Sequence, residues 1–329
     1  MNVLSLFDGM SCGRIALDKL GIPVNKYFAS EIDKWAIQIA KKNYPDTIHI
    51  GDVQDVMYPE SFDGHKIDLL IGGSPCQGFS FAGKQLNFDD PRSKLFFEFV
   101  RLYKECKPKY FLLENVRMKQ EYQDVITEML GVQPIAINSS LVSAQNRYRL
   151  YWTNIPITEL PRDKNILLKD ILESEPNDFT VMSDKFTQRN KEQKCLTDYN
   201  KPKAANLSAM EYVKNGRQGD YIACDRNGKP TASGLILAGH ANIRGHDSVK
   251  RVYHPDGKAP TLTTMQGGHR EPKVAMSQKW RKLTPLECER LQTVPDGYTE
   301  GVSNTQRYKM LGNGWTVDVI AHIFGGLYA

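Results

Sequence analysis

Three kinds of side chain in this sequence could do chemistry where they stand. Cys76 lies in Gly72-Gly73-Ser74-Pro75-Cys76-Gln77-Gly78-Phe79-Ser80, directly after the apolar run Ile67 to Ile71. That run is short, rich in Ile and Leu and stopped by two glycines, so it reads as a buried strand emptying into a loop. A cysteine beside a strand is ordinarily a small buried hydrophobe. Here Pro75 would fix its pose, and a thiol needs only modest help to become a nucleophilic thiolate. Glu114 follows a second apolar run, Tyr110 to Leu113. Desolvation there favours the protonated acid, and a hydrogen-bonded structural carboxylate is the alternative. Gln145, Arg147 and Arg149 alternate ahead of Leu150-Tyr151-Trp152. With period two they share one face of a strand, either as solvated charge or as a face turned toward an anion or a base carbonyl.

The elements that must position these groups follow from hydrophobic periodicity. Val3 to Phe7 reads as a strand, Asp8-Gly9-Met10-Ser11-Cys12-Gly13 as a turn, and Arg14 to Leu20 as a helix. The pattern G-x-G-x-x-G is absent, so a pyrophosphate cradle is not indicated. A second strand, Lys26 to Ser30, ends at Glu31, 22 residues past Gly9. An acid there can accept from both ribose hydroxyls of a nucleoside cofactor; it can equally serve the amino end of the helix Trp35 to Lys42. A third strand, Thr47 to Ile50, delivers Asp52 and Val53, where Asp52 is either an acceptor for an adenine amino group or a turn residue. Three successive strand ends offering a glycine loop, a ribose acid and an adenine acceptor, with no room for a second phosphate, point to S-adenosylmethionine over a dinucleotide.

Further along, Phe81 to Ser93 is a polar, glycine-hinged segment long enough to act as a lid. Helices are expected over Lys94 to Lys104 and around Tyr122 to Leu130. After Pro161 the composition changes. A short helix at Leu167 to Glu173 gives way to alternating segments such as Tyr221 to Cys224 and Leu235 to Ala238, with turns at Asn227-Gly228 and Asp256-Gly257. From Arg281 the pattern returns to helix, with Thr284 as N-cap, Pro285 in the first turn and Glu287 three residues after the cap. The chain closes with Gly312-Asn313-Gly314-Trp315 before an apolar helix reaching Phe324.

The 329 residues carry a net charge of +5, unevenly spread. From Phe179 to Lys282 there are 19 Lys and Arg against 9 Asp and Glu, a net +10 that leaves −5 elsewhere. A local excess of this size is what a polyanion-binding surface requires. The six cysteines form no C-x-x-C pair and the seven histidines no H-x-x-x-H pair, which argues against a metal site or disulfide framework. With no basic leader and no apolar run of membrane-spanning length, the expected location is cytoplasmic.

Taken in order, Phe7-Asp8-Gly9, Glu31, Asp52, Pro75-Cys76-Gln77, Glu114-Asn115-Val116, Gln145-x-Arg147-x-Arg149, the helix at Arg281 to Gln292 and Gly312-Asn313-Gly314 resemble the motif series of the cytosine carbon-5 DNA methyltransferases. Within that family Leu4 to Met10, Tyr27 to Glu31 and Val142-Ser143-Ala144 look most like the vertebrate de novo branch and its prokaryotic and phage relatives. The resemblance implies an α/β fold, a Rossmann-like, mostly parallel doubly wound sheet, with a smaller, mainly β target-recognition domain. Residues 1–165 and 281–329 would form the catalytic domain and 166–280 the recognition domain. It implies Cys76 as nucleophile, Glu114 as acid, Arg149 on the cytosine carbonyl, and Arg147 and Gln145 orienting the cysteine loop and a phosphate. S-adenosyl-L-methionine would be held by Phe7, Asp8, Gly9, Met10, Ser11, Cys12, Glu31, Ile32, Asp52, Val53, Pro75, Asn313, Gly314 and Trp315. The last of these stands where most of the family has Gly-Asn-Ser-Val, which places an indole in the cofactor site. Gln77, Ser80, Lys84, Arg92, Thr261 and Leu262 would contact double-stranded DNA. The implied partner is duplex DNA, acted on by a monomer, with a cognate restriction endonuclease as a candidate companion. A tRNA cytosine methyltransferase and an inactive DNA-binding accessory homologue are the rival readings.

Overall fold

The computed structural model describes residues 1–74, 91–174, 186–188, 234–265, 268–276 and 279–328. Seven strands form the main sheet: β1 (Asn2–Leu6), β2 (Lys26–Ser30), β3 (Ile48–Gly51), β4 (Leu69–Gly72), β5 (Tyr110–Val116), β6 (Ile135–Asn138) and β7 (Tyr148–Thr153). Their order is β3-β2-β1-β4-β5-β7-β6. β1 pairs in parallel with both β2 and β4, β2 with β3, and β4 with β5, whereas β7 runs antiparallel between β5 and β6. The chain reverses its direction of winding between β1 and β4, and a crevice at such a switch point is where α/β sheets bind ligands.

Alternation along the strands explains why both faces are covered. Val3, Leu69 and Ile71 join one apolar cluster, while Leu4, Leu6 and Leu70 join another on the opposite face. The first is closed by α1 (Cys12–Lys19), α2 (Lys34–Asn43) and the returning chain; the second by α3 (Pro91–Cys106) and α4 (Gln120–Leu130). No described helix is long and apolar enough to cross a membrane.

A second sheet, ordered β12-β11-β10-β9-β8, contains β8 (Phe186–Gln188), β9 (Leu237–Ala241), β10 (Arg251–Tyr253), β11 (Lys273–Met276) and β12 (Lys279–Lys282). The short helix α5 (Leu168–Ile171) precedes it in sequence, and α6 (Asp247–Lys250) lies between β9 and β10. Then α7 (Pro285–Leu291), α8 (Asn304–Asn313) and α9 (Val317–Phe324) bring the chain back to the first sheet, where α9 packs on α1. The expected cap of α7 is present: Thr284 Oγ1 accepts from the Glu287 N–H at 3.1 Å while the Thr284 N–H donates to Glu287 Oε2 at 2.9 Å.

Four expectations change. β7 begins only at Tyr148, so Gln145 and Arg147 are not on a strand face; Gln145 makes a single isolated bridge to Ala259. Arg281 and Lys282 end β12 and do not open the returning helix, although the Arg281 guanidinium clamps Glu287 at 2.6 and 2.7 Å. The strand expected at Leu235 starts at Leu237. Helix α8 was not foreseen. The strand expected at Tyr221 to Cys224 lies outside the described residues.

Candidate active site

The loop from β1 to α1 opens the site. Phe7, Gly9 and Ser11 all have left-handed backbone, with φ of 56°, 59° and 65°. Two of these are not glycine, and strain concentrated in one short loop is typical of a binding turn. The Gly9 N–H donates to Glu31 Oε2 at 2.8 Å, and the N–H groups of Ile32 and Asp33 donate to Glu31 Oε1 at 2.8 Å each. Glu31 is therefore both a brace for the loop and an acid at the cavity wall: three donors leave a carboxylate with acceptor capacity to spare. Asp33 caps α2 through the Trp35 N–H and pairs with Lys309 of α8 at 2.5 Å. Asp52 accepts from the Gln54 N–H at 3.0 Å, so the turn role and the cavity position coexist.

These groups line a cavity of about 400 Å³. Of the expected cofactor residues, Phe7, Asp8, Gly9, Cys12, Glu31, Ile32, Asp52, Val53, Asn313, Gly314 and Trp315 line it. Met10 and Ser11 do not. Met10 is 1% exposed in the core with its carbonyl accepting from Tyr298, and Ser11 is fully buried and donates to Asp8. Asp33, Gln54, Ser74, Asn115 and Met310 also line the cavity. Sequence reasoning missed them, though most sit within two residues of a strand end or loop already singled out.

Asp8 is buried, with Ser11 donating at 2.5 Å and the Tyr27 hydroxyl at 2.8 Å. Burial pushes its carboxyl up to about 6 against the lowering effect of those hydrogen bonds. Burial also pushes the Cys12 thiol up to about 12. Cys106 rises likewise to about 12, and Cys288 goes well above its ordinary value. Among the described residues, then, the free cysteines are held as thiols and none is a ready nucleophile.

At the floor of the cavity stands Glu114, 8% exposed, on β5. The register pairs Glu114 with Tyr151 and Val116 with Arg149, so Glu114 and Arg149 are diagonal neighbours across antiparallel strands. Arg149 Nε lies 2.9 Å from Glu114 Oε1, an ion pair whose N–H is not aligned for a hydrogen bond. The Trp315 indole N–H donates to Glu114 Oε2 at 3.2 Å. Glu114 is buried as expected, but each of its oxygens faces a positive or donating partner. Arg149 thus meets the acid itself, in addition to bonding the Tyr148 carbonyl at 2.9 Å.

Arg147 and Gln145 do different work from that expected. Arg147, 3% exposed, donates to the carbonyls of Leu262, Gly312 and Gly314 at 3.1, 3.3 and 3.0 Å. Gln145, fully buried, donates to the Leu291 carbonyl at 3.2 Å and accepts from the Leu262 N–H at 3.1 Å. Both tie the Leu262 turn to the returning chain; Arg147 reaches the cavity wall and Gln145 does not. Leu262 is 1% exposed in the core with its N–H and carbonyl both bonded, so its side chain cannot face a DNA groove. Thr261 is partly buried and donates to the Asn146 carbonyl at 2.6 Å. Pro75, Cys76, Gln77, Ser80 and Lys84 lie outside the described residues, as does the side chain of Arg92 on α3.

An acidic crevice at the switch point of a doubly wound sheet marks an α/β protein that binds a ligand there. The chain belongs to the C-5 cytosine-specific DNA methylases, whose family model matches residues 1–329. It is 30% identical to the type II methyltransferase M1.ScrFI of Lactococcus lactis subsp. cremoris, over 97% of this chain and 75% of that one. It is 26% identical to the orphan methyltransferase M.Rho11sI of Bacillus phage rho11s, over 98% and 97% of the two chains. Among solved structures, the Entamoeba histolytica methyltransferase EhMeth superimposes with a TM-score of 0.66 at 16% identity, over 100% of this chain and 98% of that one.

The family's methyl donor is S-adenosyl-L-methionine, and the donor set of this cavity suits it. Asp8, Glu31, Asp33, Asp52 and Glu114 line the wall, while Arg147 is turned to carbonyls and Arg149 to Glu114. Such a wall attracts a sulfonium and an ammonium and repels a pyrophosphate. Glu31 and Asp52 would hold the nucleoside, and the Phe7 to Gly9 loop with Gly314 and Trp315 the methionine end.

Proposed function

We propose that the protein is a site-specific DNA cytosine-5 methyltransferase that works through a covalent adduct on Cys76. The observation that carries this reading is Glu114, buried in the wall of the cavity that is lined also by Ser74, two residues before Cys76 in sequence. The names of the relatives, type II and orphan methyltransferases, and the basic excess between Phe179 and Lys282 support DNA as the substrate.

Carbon 5 of cytosine is too electron-poor to take a methyl group unaided. The Cys76 thiolate forms a bond to carbon 6, and Glu114 hydrogen-bonds or protonates ring nitrogen 3 to receive the displaced electron pair. That leaves an enamine whose carbon 5 is nucleophilic. When bound, S-adenosyl-L-methionine supplies the electrophilic methyl group. Loss of the carbon-5 proton to a base then expels Cys76 as thiolate and restores the ring. Arg149, already on Glu114, orients the acid and holds the cytosine carbonyl. A base inside a duplex is out of reach of these groups, so the target is flipped out at a cost of a few kcal/mol. Residues 1–165 and 281–329 act as the catalytic unit and 166–280 as the unit that selects the site.

Labelled cofactor with duplex DNA or with tRNA separates the substrates. Transfer to duplex DNA is expected, with Cys76→Ala abolishing it while DNA binding survives. Duplexes carrying 5-fluorocytosine at the cognate site should form a permanent adduct. Transfer to tRNA alone, or near-normal turnover by Cys76→Ala, overturns the proposal.

A further inference from the structure

We infer that Trp315 is a positioning residue that couples occupation of the cofactor cavity to the state of Glu114; this rests on reading Glu114 as the acid. The two lie 201 residues apart and meet through one hydrogen bond, Nε1–H to Oε2 at 3.2 Å. The other carboxylate oxygen meets Arg149 at 2.9 Å. Both partners engage the carboxylate oxygens as acceptors. For Glu114 to turn to a pyrimidine nitrogen and share a proton with it, one partner must yield. Arg149 is charge-paired but not hydrogen-bonded to Glu114 through Nε, and it also bonds the Tyr148 carbonyl, so the Trp315 N–H is the hydrogen bond that must break.

The indole is shaped to do this. Its backbone is fixed on both sides: the Gly314 carbonyl accepts from Arg147 at 3.0 Å and Gln292 at 3.2 Å, and Thr316 Oγ1 bonds Gln292 and Ser139 at 2.9 and 2.8 Å. Motion is therefore confined to the side chain. The ring itself lies over two glycines. A Cβ on Gly73 would stand 2.8 Å from Trp315 Nε1 and 3.1 Å from Glu114 Oε2, and one on Gly13 would stand 3.5 Å from Trp315 Cζ3. The indole also forms part of the cavity wall beside Gly314 and Met310. Whatever fills the methionine end presses on a ring that can answer only by rotating, and rotation changes the bond to Glu114. Cofactor binding thereby prepares the acid, and the acid stays restrained without cofactor.

The test uses the full chain with tryptophan labelled by nitrogen-15 in the indole. Four tryptophans give four indole N–H signals, and Trp315→Phe assigns one of them. In the intact protein Glu114→Gln should move the Trp315 signal and leave the other three in place. Saturating S-adenosyl-L-methionine should also move it, and by less in Glu114→Gln. Trp315→Phe puts a smaller ring in the place of the indole and loses the donor, so the restraint on Glu114 is gone: exchange of the cytosine carbon-5 hydrogen with solvent in the absence of cofactor should rise about tenfold over wild type while cofactor affinity falls less than about threefold. A Trp315 signal indifferent to Glu114→Gln, or to cofactor, overturns the inference, and so does cofactor-free exchange no faster than a measurable wild-type rate. These spectra need no methyl transfer. If they behave as expected while the wild-type protein transfers nothing to DNA, the function proposed above fails and the bond stands.

Discussion

The carbonyl oxygen of Thr263 occupies the space where Gly312 would carry a side chain: a Cβ on Gly312 would lie 2.0 Å from it. This contact presses the turn after Leu262 against the end of α8, and Arg147 secures it by bonding the carbonyls of Leu262, Gly312 and Gly314. The clash is with backbone, which cannot rotate aside. Gly312→Ala is therefore expected to cost about 1 to 3 kcal/mol. Arg147→Ala removes the shared donor of the Leu262, Gly312 and Gly314 carbonyls, of which Gly314 keeps its bond from Gln292, and should cost at least as much. Urea unfolding reads both, and stability unchanged in either variant would remove this account of the contact.

The glycine pair under Trp315 makes a separate prediction. Gly73 has no left-handed φ, so alanine is allowed there by backbone conformation and excluded only by the indole and carboxylate above it. Gly73→Ala should fold and push the indole off Glu114, moving the Trp315 indole signal as Glu114→Gln does, with little change in melting temperature. A Trp315 signal left where it stands in wild type would mean that the niche does not hold the ring.

Much of the main sheet was legible because its signals are local. β1, β2, β4 and β5 are short apolar runs stopped by glycine or by acid, and the α7 cap is written in Thr284-Pro285-x-Glu287. The cavity acids Glu31 and Asp52 were found for the same reason, since they follow strand ends. What misled was the spacing of Gln145, Arg147 and Arg149. Period two looks like a strand, yet the first two are side chains fastened to carbonyls brought in from Leu262, Leu291 and Gly312. Leu262 and Thr261 were assigned to DNA contact by the family resemblance alone, and burial there is imposed by tertiary contact. Helix α8 was hidden because Asn304-Thr305-Gln306-Arg307 has no apolar stripe to show a period. The bond between Trp315 and Glu114 leaves no trace in sequence at all.

Lys258 ties the segment after β10 to the chain around Ser140 and Ile166. Only 7% exposed, its ammonium donates to the carbonyls of Ser140, Ser143 and Ile166 at 2.6, 3.0 and 2.9 Å. Burial holds its pKa below the ordinary lysine value against the raising effect of Asp163 and Asp170, and the three carbonyls stand in for water around the ammonium. Lys258→Met preserves volume and removes all three bonds, with an expected loss of roughly 3 kcal/mol. Calorimetry showing the variant within about 1 °C of wild type would rule this role out.

Asp8 supplies the pH dependence. Burial raises its carboxyl from 3.8 to about 6, so the folded chain holds that proton more tightly than the unfolded chain does. The resulting stability is fully present below about pH 4 and is lost as pH rises through about 6, by at most about 3 kcal/mol. Above that, an ionised carboxylate stays buried, supported by the hydroxyls of Ser11 and Tyr27. Asp8→Asn carries no titrating proton, and both hydroxyls can turn to suit the amide. Chemical unfolding of the two proteins from about pH 4 to about pH 7 should show Asp8→Asn gaining on wild type through that window and holding a constant difference beyond it. Parallel curves across the whole range would mean that Asp8 ionises in the folded protein as it does in the open chain, and that the loop from β1 to α1 does not bury it in solution.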